Sequence, residues 1–239
     1  MLLFNSNLLF SDPFRFFVDV VAVSTALLVG ITFHEFAHAY AANRQGDLTA
    51  TRMGRLTLNP KAHLDRAGTL MLLIAGFGWG KPVPVNPYAL RSGRRGMAIV
   101  SVAGPVANLL LVVAFALLFQ LSVLEANVSL TLGGLQIGVS LTALRALDVT
   151  AWVTIIATYS VILNLILAVF NLLPIPPLDG GGILAGIAPR RWLPAVAKLQ
   201  RIGPIALIVV IASSLLGVFS PLAYVFGPVL RLAHALLSA

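Results

Sequence analysis

The chain has 239 residues, of which 59% are hydrophobic and only 10% charged, and its mean hydropathy is +0.96. Soluble domains are about 25% charged, so this composition excludes an ordinary soluble protein and predicts an integral membrane protein. The +8 net charge gives no reason to expect a nucleic-acid partner, because the basic residues gather in short stretches between apolar spans, and the absence of cysteine excludes disulfides and thiolate metal ligands.

In chain order, residues 1–13 read as a short exterior or interfacial lead, with Phe4, Leu8, Leu9 and Phe10 suited to the headgroup region. A first span over about Phe14 to Ala42 is long enough to cross a bilayer with tilt. Inside it stands His34-Glu35-Phe36-Ala37-His38. Histidines four apart share one helix face, so both imidazoles reach one zinc ion. Glu35, about 100° round the helix from His34, is positioned to take a proton from water. Counted back from Arg44, His38 lies roughly 9 Å and His34 roughly 15 Å beneath the interface. Ionisable groups at such depth read as functional.

Residues 43–66 are basic and strand-like around Thr49, Thr51, Leu56, Thr57 and Leu58, and end at Asn59-Pro60. Gly68 to Gly80 is apolar but too short to span and reads as a re-entrant helix. Lys81-Pro82-Val83-Pro84-Val85-Asn86-Pro87 is predicted extended, because its prolines bar helix. A second span, about Met97 to Leu121, contains Pro105 and Asn108, which places that part of it against other helices; Asn108 reads equally as an interhelical hydrogen-bonder or a substrate contact. Residues 122–147 read as a loop or interfacial helix. A third span, about Val149 to Leu173, breaks at Pro174-Ile175-Pro176-Pro177-Leu178-Asp179-Gly180-Gly181-Gly182. Such irregular backbone belongs where protein buries it or a wet cavity receives it. After a basic loop at Arg190 to Arg201 come a span of about Ile202 to Phe219 and a last apolar segment ending near Leu237, in which His234 reads as interfacial.

A catalytic zinc takes three protein ligands and leaves one position open. His34 and His38 supply two. Asp179, in the helix break, is the best third ligand; the competing reading is a helix cap before Gly180. Asn171 reads either as an oxyanion donor or as an interhelical packing residue, and His63 is ambiguous.

Five motifs taken together resemble the site-2 protease family of intramembrane zinc metalloproteases. They are His34-Glu35-x-x-His38; Gly54-Arg55-Leu56-Thr57-Leu58-Asn59-Pro60 with His63 and Asp65; Lys81 to Pro87; Ala103-Gly104-Pro105-x-x-Asn108; and Asn171 to Gly181, covering residues 30–182 in the family's order. The resemblance implies Asp179 as third zinc ligand beside His34 and His38; the catalytic candidates stay those read from the residues, Glu35 as base and Asn171 as oxyanion donor or packing residue. It also implies one zinc per chain and cleavage within or near the transmembrane helix of single-span membrane proteins. A compact form is expected, without an inserted PDZ domain, a C-terminal CBS domain or an extra leading span.

The expectation is therefore an all-α polytopic membrane protein, one domain over residues 1–239, with about four to six transmembrane or re-entrant helices and a small membrane-associated β segment. Its C-terminal helices fall in 202–238. The lipid bilayer is its solvent and no nucleic acid its partner. Stretches 43–66, 81–95 and 190–201 hold 13 of the 16 Lys and Arg residues, which predicts a multi-pass inner-membrane protein with these stretches, and the active site near them, on the cytoplasmic side. The rival class is a non-proteolytic metal-binding or metal-transporting membrane protein. A transport path would want ionisable residues along a whole crossing, and Glu125 and Asp148 on the far side are too few to mark one.

Overall fold

The computed structural model describes residues 10–75, 78–123, 129–132, 135–138, 141–215 and 221–238. Most of the lead, residues 1–9, and the end of the fourth span, 216–219, lie outside the described residues. Pro13–Arg44 forms α1. It starts behind Asp12, whose carboxylate accepts the N–H of Arg15, and Pro13 occupies the first turn, where no N–H is required. Its 32 residues make a rod of about 48 Å, longer than the roughly 30 Å hydrocarbon layer. The helix must tilt or project.

Short helices follow at Thr49–Arg52 (α2) and Arg66–Ala75 (α3), then the long helix Gly93–Val123 (α4). A two-stranded antiparallel hairpin, Ser129–Leu132 with Leu135–Gly138, leads to Leu141–Arg145 (α5). Val149–Asn171 (α6), Asp179–Ile187 (α7), Leu193–Leu215 (α8) and Pro221–Ser238 (α9) complete the chain. Among the described residues, α1, α4, α6 and the α8 region are long and apolar enough to cross a membrane. The fold is all-α and polytopic.

Alpha-helices α1, α4 and α6 form the frame that carries the site. Val18, Ala22, Val23, Ala26 and Leu27 of α1 are buried with Ala151, Ile155, Tyr159 and Leu163 of α6. Val112 and Ala116 of α4 meet Val161, Ile162 and Leu165 of α6, with Val229 and Ala233 of α9 closing that cluster. Alanines at these contacts let backbones approach, which in lipid is a main source of helix association. The apolar window of α6 is 67% buried against 17% for that of α8, so α6 is the central helix and α8 a peripheral one.

The basic stretches meet at one end of the bundle. Arg91 N–H donates to the Gln45 carbonyl at 2.8 Å, Asn86 N–H to Asp47 Oδ2 at 2.7 Å, and Arg94 Nη2 to the Ala188 carbonyl at 2.6 Å. Arg145, 4.0 Å from Asp12 and stacked over Phe14, marks the opposite end.

Two expectations need correction. The strand-like reading of 43–66 fails at Thr49–Arg52, which is helical. Asp47 decides this: its Oδ1 accepts from the N–H and hydroxyl of Thr49 and so nucleates a turn that the β-branched residues alone would resist. Burial pushes the Asp47 carboxyl up, but the Thr49 hydroxyl, the N–H groups of Asn86 and Thr49 and the charge of Arg52 outweigh it and hold the group below its ordinary range. Among the described residues, pairing near the histidine motif is a single bridge, Leu64 with Gly80, and the small β segment expected there is not shown; the hairpin described above lies within 122–147. The second correction concerns the basic loop before the fourth span. It is helical from Leu193, because Leu-Pro-Ala-Val-Ala-Lys-Leu-Gln-Arg is a run of good helix formers with proline in the first turn.

Candidate functional site

Asp179 is the first residue of α7 and makes no capping hydrogen bond. Its carboxylate turns back into the bundle, which disposes of the cap reading. Two glycines one turn apart bring α7 there: a Cβ on Gly182 would strike Ser101 Oγ of α4, and one on Gly186 would lie 2.5 Å from Ala98 Cβ. Only small residues allow this approach.

His34 Nε2 lies 3.1 Å from Asp179 Oδ2, His38 Nε2 lies 3.2 Å from Asp179 Oδ1, and the two Nε2 atoms are 3.1 Å apart. Both histidines are 8% exposed. The protonation of the rings follows from their outer nitrogens. His38 Nδ1 faces the Val100 carbonyl at 2.7 Å, which can only accept, so that nitrogen carries the hydrogen. His34 Nδ1 faces Asn108 Oδ1 at 2.6 Å. The Asn108 amide is oriented by what its nitrogen donates to, the Gly30 carbonyl at 3.2 Å and Asn164 Oδ1 at 2.8 Å, while Asn164 Nδ2 donates to the Ser160 carbonyl at 2.9 Å. His34 Nδ1 must therefore donate too. With the rings neutral, as a metal requires, both Nε2 atoms present lone pairs toward the one carboxylate of Asp179.

In that neutral state the converging nitrogens and carboxylate repel one another unless a cation sits among them. Asp179 Oδ2 is accordingly buried without a hydrogen-bond donor. Ligand atoms about 2.0–2.1 Å from a tetrahedral zinc stand about 3.3 Å apart, close to the separations seen. Opposite the rings the wall is Gly104, where a Cβ would lie 2.5 Å from His38 Nε2 and 2.7 Å from His34 Nε2. The space is kept open by the missing side chain. The residues present fit a divalent ion held by two neutral imidazoles and one carboxylate, and His34, His38 and Asp179 form the one such cluster among the described residues.

Glu35, half-buried beside them, is held by a different element. Its Oε2 accepts the N–H of Val83 at 3.0 Å, on the extended segment between Gly80 and Pro87. That segment is tied at several points: Lys81 N–H donates to the His63 carbonyl at 2.7 Å, Arg55 reaches the carbonyls of Lys81 and Pro82, and Asn86 is held by Asp47. His63 is fully buried with Nε2 against the Thr57 carbonyl at 2.7 Å, away from the cluster, and so serves the loop. Asn171 ends α6 and donates to the Leu167 carbonyl of its own helix at 3.0 Å. His234 is exposed on α9. Two residues matter more than the sequence alone indicated. Asn108 and Asn164, both 0% exposed, run from the metal cluster through α4 into α6; the sequence marks Asn164 only by polarity inside an apolar span, and Asn108 by that and by its place in the Ala103 to Asn108 motif.

Outer partners that fix ligand tautomers are commonly worth ten- to a hundredfold in metal affinity. Asn108→Ala should therefore weaken zinc binding by about that factor, read by competition with a chelator. Asn108→Asp, which keeps an acceptor at the same place, should recover most of it.

A bundle that gathers a His-His-Asp cluster able to hold a cation beside a glutamate, within apolar helices, has the makings of a membrane-embedded metallohydrolase. The chain matches Peptidase family M50 over residues 22–216. It is 40% identical over 191 residues to "Putative zinc metalloprotease YwhC" of Bacillus subtilis, covering 79% of each chain. It is 30% identical over 239 residues to "Putative zinc metalloprotease Rip2" of Mycobacterium tuberculosis, covering 95% of this chain and 81% of that one. No solved structure matches. The chain belongs to Peptidase family M50, the site-2 protease family, and is a multi-pass membrane metalloprotease.

Proposed function

We propose that this chain is an intramembrane zinc metalloprotease in which His34, His38 and Asp179 hold one zinc ion and Glu35 is the general base. The observation that carries the reading is the convergence of the His34 and His38 Nε2 atoms on the Asp179 carboxylate, next to a second carboxylate held separately by Val83. When bound, zinc supplies a Lewis acid that acidifies water and polarises a peptide carbonyl. Glu35, with Oε2 anchored on Val83 N–H, uses Oε1 to take the proton of the attacking water and passes it to the leaving amine as the C–N bond breaks. Asn171 supplies a donor to the developing oxyanion once its amide turns from Leu167.

A helical peptide bond is shielded, so the substrate must be held extended beside the metal. The segment Val83 to Asn86 suits this role by main-chain pairing. Among the described residues the Val85 N–H has no partner, whereas Pro82 and Pro84 have no N–H to offer. Alternating prolines limit pairing with unwanted strands.

The substrates are single-span membrane proteins of the inner membrane, cut near its cytoplasmic face, because the basic end of the bundle is the end nearer the site. Absence of native cysteine makes the orientation simple to test. Ser92→Cys should react with an impermeant maleimide only after the cytoplasmic face is opened, and labelling from outside alone would reverse the orientation. Cleavage of a single-span substrate by purified protein in lipid, lost on chelation and restored by zinc, tests the activity. Retained cleavage in chelator would refute it.

A further inference from the structure

Beside the Val83 segment lies a second concavity, an open groove of about 560 Å³ lined among others by Met53, Arg55, Lys61, Asp65, Arg66 and Lys81. Four of these side chains are cationic and one is acidic. Asp65 is already committed to the N–H of Gly68 at 2.8 Å, and no carboxylate among the described residues pairs with any of the four cations. Arg55 is only 5% exposed. Its Nη1 and Nη2 hold the carbonyls of Pro82 and Lys81, but its Nε meets no acceptor. A buried guanidinium with an unpartnered donor, inside a ring of cations, is a site that calls for an anion.

We propose that this groove receives an acidic side chain of the substrate, in the stretch that adjoins its transmembrane helix on the side of the basic loops. The inference rests on the protease reading above. Its lining comes from residues 53–66 and Lys81, outside the candidate membrane-spanning helices, and it adjoins the segment proposed above to pair with substrate, which favours a peptide as the occupant. Lys81 belongs both to the groove and to the segment whose Val83 holds Glu35. Two extended residues cover about 7 Å. A strand lying along this segment would put its acidic residue within roughly two to six residues of the bond being cut. Acidity there would act on binding rather than on the chemical step, because no groove cation touches Glu35 or the histidine–aspartate cluster.

The test uses the full-length, zinc-loaded Glu35→Gln protein in phosphatidylcholine nanodiscs. Its probes are fluorescent single-span peptides carrying Asp, Asn or Lys at successive positions past the helix end. At the favoured position the Asp peptide should bind about tenfold tighter than the Asn peptide, as for a charge-assisted pair with a partly buried partner, and the Lys peptide weakest. The Lys61→Glu/Arg66→Glu variant should bind the Asn peptide as before and reverse the order of the other two. Equal affinities at every position, or an order unchanged in the double variant, overturn the proposal. Cleavage of the same peptides by the wild-type protein is a separate readout. Cleavage without charge preference removes this inference and leaves the protease reading, and a charge preference in binding without cleavage does the opposite.

Discussion

The Glu35→Gln protein is expected to carry as much zinc as the wild type and to lose proteolysis by a factor of at least about 10²–10⁴, the range set by removing a positioned general base. Glu35 is not one of the three atoms that converge on the metal position, so its charge is not needed to hold the ion. An amide in its place still accepts the Val83 N–H through its oxygen, which keeps the segment 80–87 docked. What disappears is the capacity to take a proton from water. Metal analysis and a gel assay on one preparation separate the two effects. A variant that lost zinc as well would show that Glu35 is a ligand.

Gly104→Ala should have an effect of similar size through a different cause. The added methyl would stand 2.5 Å and 2.7 Å from the two Nε2 atoms, in the space that an ion about 2.0–2.1 Å from each must use. The variant is expected to lose zinc and activity together. Its helix should not suffer, since alanine is favoured over glycine in a helix interior by about 1 kcal/mol. The same methyl also forces the buried rings to shift, so the metal-free protein should unfold no later than the wild type, while the stabilisation on adding zinc vanishes. Normal zinc binding by this variant would mean that α4 does not face the metal as the structure has it.

How far the sequence alone reached depended on where each piece of information is stored. The pair His34 and His38 is a local pattern, and helical periodicity alone puts both on one face. The spans were legible because length and hydropathy are additive along the chain. From the residues themselves Asp179 was legible as an anomaly, a carboxylate in a break of three prolines and three glycines, and the motif resemblance added its role. What the sequence could not supply is the register of one helix against another. Asn108 and Asn164 were visible as polar residues in apolar spans, but that they join, and that Gly30 leaves room for Asn164 by lacking a Cβ, depends on how α1, α4 and α6 cross. The tie between Glu35 and Val83 was out of reach for another reason. Its donor is a main-chain N–H, which every residue but proline has, so nothing in the residue types announces it. The misread strand at Thr49–Arg52 belongs to the same class: β-branched residues suggested one conformation, and the side chain of Asp47, outside the segment, ties down Thr49 in another.

The central claim is that two imidazoles and the Asp179 carboxylate together hold the catalytic zinc. The most direct measurement is the zinc content per chain of purified Asp179→Ala against the wild type, across a chelator series, with substrate cleavage scored in the same tubes. Loss of one of three protein ligands should strip the metal at chelator concentrations that the wild type survives, and cleavage should fall with it. Full zinc and full cleavage in Asp179→Ala would contradict the account and place the third ligand elsewhere in the chain.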